Sequence, residues 1–157
     1  MKLTLRLATI SDVPEILRLN NGMCAEESRL YDPLILPDFA TSRAGRAYFK
    51  GQLNKTSALL VVAIMDDQIV GYLSANTHGN EHYRKSAKIA EINDMVVGEN
   101  HRRQGIGRAL YQHFTKWAKT RRVKLLRVIA SAENERALQF YKSNKFKPMS
   151  VMLERPL

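Results

Sequence analysis

The stretch ENHRRQGIGRAL at residues 99–110 places two glycines between a predicted strand and a predicted helix. Glycine costs about 1 kcal/mol relative to alanine inside a helix, so two glycines at a helix entrance indicate that a ligand approaches the backbone. Free N–H groups and the positive end of the helix dipole at such a junction bind phosphate. Two familiar phosphate motifs do not fit. The dinucleotide fingerprint needs a third glycine where Leu110 lies, and the P-loop needs Lys where Arg108 follows Gly107.

Positive charge is concentrated around and after these glycines. The chain has a formal net charge of +10, and nine Lys or Arg with no Asp or Glu lie between residues 101 and 132. Such a stretch attracts the phosphates of a nucleic acid or of a small polyphosphate ligand, or it is a solvated surface. Residues 116–127 lack the interleaved aromatic side chains of single-strand binders, because only Trp117 occurs there and the helical pattern places it on the apolar face. Nucleic acid is therefore not the expected partner.

The elements that must position this motif follow from hydrophobic periodicity. Residues 3–8 predict a strand, and residues 9–20 predict a helix that Ser11 caps, with Pro14 in its first turn. Residues 57–77 predict a hairpin that turns at Asp66 and Asp67. Further strands are predicted at 88–97, 124–130 and 146–156, and further helices at 41–55, from the glycines to about Lys119, and at 134–144. This order of elements implies an α/β fold with a mixed sheet covered by helices.

The composition is that of one globular domain over residues 1–157. No apolar run approaches the roughly 20 residues that span a bilayer, and the N-terminus lacks the apolar core of a signal peptide, so no membrane partner is expected. The single cysteine, Cys24, excludes an intrachain disulfide, and a cytoplasmic location is predicted. Cys24 is expected to be a small buried hydrophobe, and neither it nor the histidines show the spacing of a metal site.

Two motifs together resemble the GNAT superfamily of N-acetyltransferases. The sequence Arg102-Arg103-Gln104-Gly105-Ile106-Gly107 is similar to the family signature [QR]-x-x-G-x-[GA]. About 30 residues on, Asn134, Ala137 and Tyr141 match the family pattern N-x-x-A-x-x-x-Y. The resemblance implies a mostly antiparallel sheet whose fourth and fifth strands splay apart, with helices on both faces. It also implies a single acetyltransferase domain, for which a homodimer is a compatible assembly.

The resemblance implies acetyl-coenzyme A (acetyl-CoA) as donor and co-substrate. The backbone N–H groups of about residues 103–108 would bind its pyrophosphate, with added charge from Arg102 or Arg103. Asn134 would hydrogen-bond the pantetheine arm, cap its helix, or do both. A backbone N–H near Val96 or Val97 would polarise the thioester carbonyl. The expected cofactor-binding residues are Met95, Val96, Val97, Arg102, Arg103, Gln104, Gly105, Ile106, Gly107, Arg108, Asn134 and Tyr141.

An alkyl amine acceptor imposes a requirement on the site. With a pKa near 10.4, only about one amine in 2,500 is neutral at pH 7, a penalty of roughly 4.6 kcal/mol. The site therefore needs a base, an acidic pocket or a water path. Alternation along 88–97 puts Glu91, Asn93 and Met95 on one face, and Ile92 and Asp94 on the other, until a bulge intervenes.

The resemblance then suggests which carboxylate is the base. Glu91 lies 11 residues before Arg102, where the histone-lysine branch of the family carries its base glutamate. Asn93 lies 9 residues before Arg102, where polyamine-type members carry a glutamate, so the sequence departs from that pattern. Asp94 matches an acidic position that is often structural. Glu91 is the first candidate base and Asp94 the second, while an exposed strand charge is the alternative role for Glu91.

Tyr141 resembles the family tyrosine beside the thioester sulfur. A phenol near pKa 10 does not fully protonate a thiolate near 8.5, so the expected role is a hydrogen bond to the leaving thiolate. A buried core tyrosine is the alternative.

Four acidic residues could attract a cationic acceptor: Glu26, Glu27, Asp32 and Asp38. The alternative is that they are ordinary surface residues. An acetyltransferase is the expected function, and a non-catalytic acyl-CoA-sensing or nucleic-acid-binding module is the alternative.

Overall fold

Five of the six strands predicted from the sequence are present in the computed structural model, which describes residues 2–157. These strands are β1 (Leu3–Leu7), β2 (Ala58–Met65), β3 (Gln68–Gly79), β4 (Lys88–Val97) and β5 (Leu125–Val128), in that spatial order. The first four strands pair antiparallel, and β4 pairs with β5 in parallel. The helices are α1 (Val13–Leu30), α2 (Arg43–Leu53), α3 (Ile106–Thr120) and α4 (Glu135–Ser143). The predicted fold class is confirmed.

Strand β2 shows why the sheet is covered on both faces. Its run of apolar residues divides by alternation: Val61 and Ala63 belong to the core under α3, whereas Leu60 and Val62 belong to the core under α1 and α2. A strand that is apolar on both sides must bury both sides. The predicted turn at Asp66 and Asp67 is also confirmed, because both residues have positive φ, 50° and 61°, as a two-residue hairpin turn requires.

Helix α1 differs from the prediction at both ends. It begins after a short 3-10 turn at Ile10–Asp12 and continues to Leu30, ten residues beyond the predicted end. Ser11 does not cap it. Instead, the carboxylate of Asp12 accepts a hydrogen bond from the Thr9 N–H at 2.7 Å and pairs with Arg6 at 2.6 Å, which holds the chain reversal between β1 and α1.

The last predicted strand is wrong. The structure assigns no regular secondary structure to residues 146–157, and Lys147 to Leu157 are exposed. Alternating Val, Met and Leu favour a strand only when a neighbouring strand supplies backbone partners, and no strand within residues 2–157 pairs with this segment. Pro148 also removes one of the N–H donors that such pairing would need.

Candidate active site

A bulge in β4 determines which side chains reach the site. Ser74 pairs with Asp94 but Ala75 pairs with Ile92, so Asn93 has no partner on β3. Simple alternation, which groups Asp94 with Ile92, is therefore wrong beyond this point. Ile92 belongs to the core under α3, and after the bulge it is Met95 that packs on that core. Asp94 is turned to the opposite face, where the Asn20 side chain of α1 contacts it at 3.5 Å.

The bulge also marks the point where β4 and β5 part. The two strands pair only from Ile89 with Leu125 to Ile92 with Val128, so residues 93–97 have no partner on the β5 side. The Gly98 N–H donates to Val70 O at 2.8 Å, so it points toward β3. Successive N–H groups of a strand point to opposite sides, so the Val96 N–H also points toward β3. The N–H groups of Met95 and Val97 point to the open edge. Val96 and Val97 are the residues predicted to polarise the thioester carbonyl with an N–H group. Of these two N–H groups, only that of Val97 is not directed toward β3.

A cleft of about 1030 Å³ occupies the gap between the diverging strands. Its walls come from the 92–97 part of β4, the end of β5, the loop before α3, the length of α4 and one face of α1. Every predicted cofactor-binding residue lines it except Gln104, whose side-chain Nε2 donates to Asn100 O at 3.3 Å. Asp94 and Tyr141 line it as well, and Glu91 does not.

The loop before α3 presents unused backbone donors to this cleft. None of the six amides of residues 103–108 donates a hydrogen bond within residues 2–157, whereas Arg102 N–H bonds Glu99 O and Ala109 N–H bonds Gly105 O. Arg103 and Gly105 have positive φ, 65° and 83°, and such alternation of backbone handedness curls successive N–H groups into an anion-binding concavity. The loop has the geometry that a diphosphate requires.

Glycine is favoured at positions 105 and 107 of this loop for different physical reasons. Gly105 holds the left-handed conformation at the start of α3, which disfavours any residue with a Cβ. Gly107 has ordinary φ, and a Cβ there would meet only a Val97 methyl at 4.0 Å. Protein packing does not require glycine at 107, so the space beside it is available to a ligand.

The motif arginines are used differently. Arg102 forms a two-pronged ion pair with Glu26 of α1, at 2.6 and 3.0 Å, and donates to Val97 O at 3.3 Å. This pairing lowers the pKa of Glu26, toward which Arg136 also points at 3.6 Å. Arg103 lines the cleft and forms no ion pair with residues 2–157. Arg102 therefore fixes the loop to α1, whereas the charge of Arg103 is not neutralised by an ion pair within residues 2–157.

Asn134 and Tyr141 both come from α4. The Asn134 side-chain oxygen accepts from Ala137 N–H at 3.0 Å, so the predicted helix cap is present, while its Nδ2 donates to none of residues 2–157. The Tyr141 ring packs against Phe140 and Phe146, with ring centroids 5.3 and 5.4 Å away. Tyr141 is only 8% exposed, and its hydroxyl makes no hydrogen bond within residues 2–157. Burial, followed by the charges of Asp94 and Glu27, raises the pKa of Tyr141, so the hydroxyl keeps its proton.

Asp94 sits at the end of a buried polar chain. Asn20 Nδ2 lies 2.7 Å from the Tyr72 hydroxyl and 3.5 Å from Asp94 Oδ1, and the Cys24 thiol donates to Asn20 Oδ1 at 3.4 Å. Burial, with a smaller contribution from the Glu27 charge, raises the pKa of Asp94 to about 6. Such a value is that of a carboxylate able to accept a proton near neutral pH. Cys24 itself is buried, as predicted, and burial raises its thiol pKa to about 11.

Glu91 has different surroundings. Its carboxylate lies 3.2 Å from His78 Nε2 and 3.6 Å from Arg127, which also binds Glu81 at 2.7 Å. These contacts join β4 to β5 and to the loop that follows β3. The structure thus brings Asp94 to the same cleft as Tyr141 and leaves Glu91 outside the cleft lining.

Some lining residues have no counterpart in the sequence prediction. Met23 lines the cleft from α1, Tyr31 lines it from the position directly after α1, and Arg136 lines it from the start of α4. The spacing of Met23, Glu27 and Tyr31, four residues apart on a helix, is the signal that would have found this wall. This spacing is not used in the prediction from sequence, because the predicted helix ends at residue 20.

Comparison with known proteins agrees with this geometry. The acetyltransferase (GNAT) family matches residues 24–146. The chain belongs to the GNAT acetyltransferase family. An uncharacterized N-acetyltransferase of Archaeoglobus fulgidus is 29% identical over 110 residues, which cover 69% of this chain and 74% of that protein. No helix within residues 2–157 has the length and apolar character needed to cross a membrane.

Solved structures share the GNAT fold over the whole chain. A mutant of the BH1408 protein from Bacillus halodurans superposes with a TM-score of 0.88 at 22% identity, covering 98% of this chain and 99% of that one. The aminoglycoside acetyltransferase AAC(6')-Iy, in complex with the bisubstrate analogue CoA-S-monomethyl-acetylneamine, superposes with a TM-score of 0.76 at 16% identity, covering 100% and 99%. At these identities the likeness concerns the fold.

Proposed function

We propose that this GNAT protein transfers an acetyl group from acetyl-CoA to an amine by direct attack on the thioester within a ternary complex. The observation that carries the proposal is the set of six unused amides at residues 103–108, since all of these residues except Gln104 line a cleft between parted strands. A diphosphate at these amides directs the rest of the donor along the open edge of β4, toward Asp94 and Tyr141. The donor supplies an acetyl thioester.

The donor is held by backbone groups more than by side chains. The amides of residues 103–108 and the positive end of α3 bind the diphosphate, and Arg103 and Arg108 add charge. The unpaired N–H and C=O groups of β4 beyond the bulge take the place of a missing strand and bond the amide groups of the pantetheine arm. The free Nδ2 of Asn134 contributes a further donor at the start of α4.

We assign the base to Asp94 in preference to Glu91, since of the two only Asp94 lines the cleft that holds Tyr141. The ammonium group of the acceptor first loses a proton to solvent, and the small neutral fraction of the amine attacks the thioester carbonyl carbon. The pKa of the attacking nitrogen falls as the new bond forms. Asp94, with a pKa near 6, then accepts the proton. The Val97 N–H stabilises the negative charge that develops on the carbonyl oxygen.

Tyr141 acts on the leaving group. Its hydroxyl has no partner within residues 2–157 and is therefore free to donate a hydrogen bond to the departing sulfur. Because its pKa is raised, Tyr141 is a poor donor of a whole proton, and a hydrogen bond to the thiolate is the role that its environment supports. The thiolate takes its proton from solvent.

Two measurements test the proposal. Calorimetry with acetyl-CoA and with duplex DNA distinguishes an acetyl-CoA protein from a nucleic-acid-binding module. Tight donor binding without salt-sensitive DNA binding is expected, and the reverse result would contradict the proposal. A free-thiol assay with a panel of amines then tests transfer, because a non-catalytic acyl-CoA sensor binds the donor and releases no thiol with any acceptor. The cytoplasmic location and the homodimer remain predictions.

A further inference from the structure

Helix α1 gives the cleft an acidic wall. Met23, Glu27 and Tyr31 follow one another on one face of the helix, and Glu26 lies beside them. The Glu26 carboxylate is occupied by Arg102 and Arg136. Glu27 is different, since it forms no ion pair with any of residues 2–157. One of the two adjacent carboxylates is neutralised by the protein, and the other is left facing the cleft.

Glu27 occupies a position that is unfavourable for a carboxylate. It lies in the last turn of α1, where its carbonyl accepts from the N–H groups of Tyr31 and Asp32 at 2.8 and 3.1 Å. The C-terminal end of a helix carries partial negative charge, which disfavours an acid there. Burial and the neighbouring Glu26 raise the pKa of Glu27 as well. A carboxylate at a position that burial, the helix dipole and a like neighbour all disfavour is typical of a functional residue.

Two further groups at the same cleft lack a protein partner: one lacks an ion pair and the other lacks a hydrogen bond. Asp94 forms no ion pair within residues 2–157. Tyr141, a cleft-lining residue that is only 8% exposed, has a hydroxyl with no hydrogen-bond partner within residues 2–157. An acceptor that carries a carboxylate beside its amine, such as an amino acid, would be repelled by Glu27 and Asp94. Positive charge on the acceptor would be stabilised.

We propose that Glu27 binds a second ammonium group of the acceptor, so that the acceptor is a diamine or polyamine and not a monoamine or an amino acid. The inference rests on the proposed function, because it reserves Asp94 for the nitrogen that attacks the thioester. Glu27 is then the residue that selects for the second charge. Tyr31, which follows the last residue of α1, contributes the wall against which the carbon chain of the acceptor packs.

The test compares putrescine with n-butylamine, which has the same carbon chain and only one ammonium group. Both are titrated by calorimetry into protein loaded with coenzyme A, which lacks the acetyl group and so prevents turnover. We expect putrescine to bind at least tenfold more tightly, and Glu27→Gln to reduce that ratio to about one. Glu27→Asp should retain part of the preference. Glu154→Gln removes the same charge from the exposed C-terminal segment and should leave the ratio unchanged.

The outcomes separate this inference from the function on which it rests. Equal binding of the two amines by the unaltered protein, or a diamine preference that survives Glu27→Gln, overturns the role of Glu27 whether or not acetyl transfer occurs. Absence of thiol release with every amine overturns the proposed transfer. If coenzyme A does not bind, the same titrations on the free protein still decide whether Glu27 selects for the second ammonium.

Discussion

Replacement of Asp94 by asparagine tests the proposed chemistry, because it removes the proposed base and leaves a side chain of nearly the same shape. A general base contributes about 10²–10⁴-fold to a rate, so kcat/KM should fall at least about 100-fold. The pH profile of the unaltered enzyme should lose activity below about pH 6, where Asp94 becomes protonated. That acidic limb should be absent from the residual activity of Asp94→Asn.

The same substitution should stabilise the fold. The native pKa of Asp94, about 6, lies above the value of 3.8 for a free aspartate, so the folded protein favours the protonated form. Ionised Asp94 therefore costs stability, and the cost is absent below about pH 4 and complete above about pH 6. Two pKa units correspond to about 3 kcal/mol as an upper limit. Each kcal/mol shifts the Tm of a domain of this size by about 2–4 °C, so Asp94→Asn should melt several degrees higher at pH 8.

The assays are steady-state thiol release between pH 5 and 9 and thermal unfolding at pH 4 and pH 8. Glu91→Gln is the matched control, because it removes a carboxylate from the same strand outside the cleft lining. It should keep the acidic limb, lose less than about fivefold in kcat/KM, and lower the Tm by breaking the contact with Arg127. The opposite pattern, with Glu91→Gln inactive and Asp94→Asn active, would refute the assignment and leave Glu91 as the base. A Tm gain no larger at pH 8 than at pH 4 would refute the burial argument.

Three other substitutions examine the remaining parts of the site. Tyr141→Phe should lower kcat about tenfold or more with donor affinity nearly unchanged, and an unchanged kcat would exclude the role given to its hydroxyl. Gly107→Ala should have a Tm equal to or slightly above that of the unaltered protein, because a Cβ there meets only Val97 at 4.0 Å. Calorimetry should nevertheless show acetyl-CoA affinity at least about tenfold weaker, and full affinity would contradict the proposed diphosphate contact. Asn134→Ala should lose about 1 kcal/mol of unfolding free energy with the helix cap and weaken donor binding as well, and a loss of stability alone would show that Asn134 only caps α4.

The parts of the fold predicted correctly are those set by local pattern. The bounds of β4 agree with the structure at both ends, and α3 ends one residue beyond the prediction, because periodicity and the glycine loop mark these elements in the sequence itself. Helix α1 was cut short at Asn20, since Asn21 and Gly22 have low helix propensity. Packing of Leu19 and Cys24 into the interior outweighs that local preference.

The sequence predicts many of the residues that line the cleft, but it does not distinguish Asp94, which lines the cleft, from Glu91, which does not. Motif spacing found the cleft-lining loop and Tyr141, because backbone amides and α4 are fixed by short sequence signatures. The alternation rule failed between Ile92 and Asp94, because the position of a bulge depends on the register of β3 opposite and not on β4 alone. The polar contacts around Asp94, which reach back to Asn20 on α1, join residues 74 positions apart that no local pattern connects.

Asn93, which has no partner on β3, matters to the site as an extra residue in β4 more than through the chemistry of its side chain. Exchange of Asn93 for another small residue would leave the count of residues between Ile92 and Asp94 intact. Deletion of Asn93 would make Ile92 and Asp94 consecutive residues opposite Ala75 and Ser74, so the bulge would disappear while Asp94 stayed on the face opposite Ile92. A single-codon deletion would thus remove the irregularity beside which the pairing of β4 with β5 ends, while every later side chain of β4 kept its face.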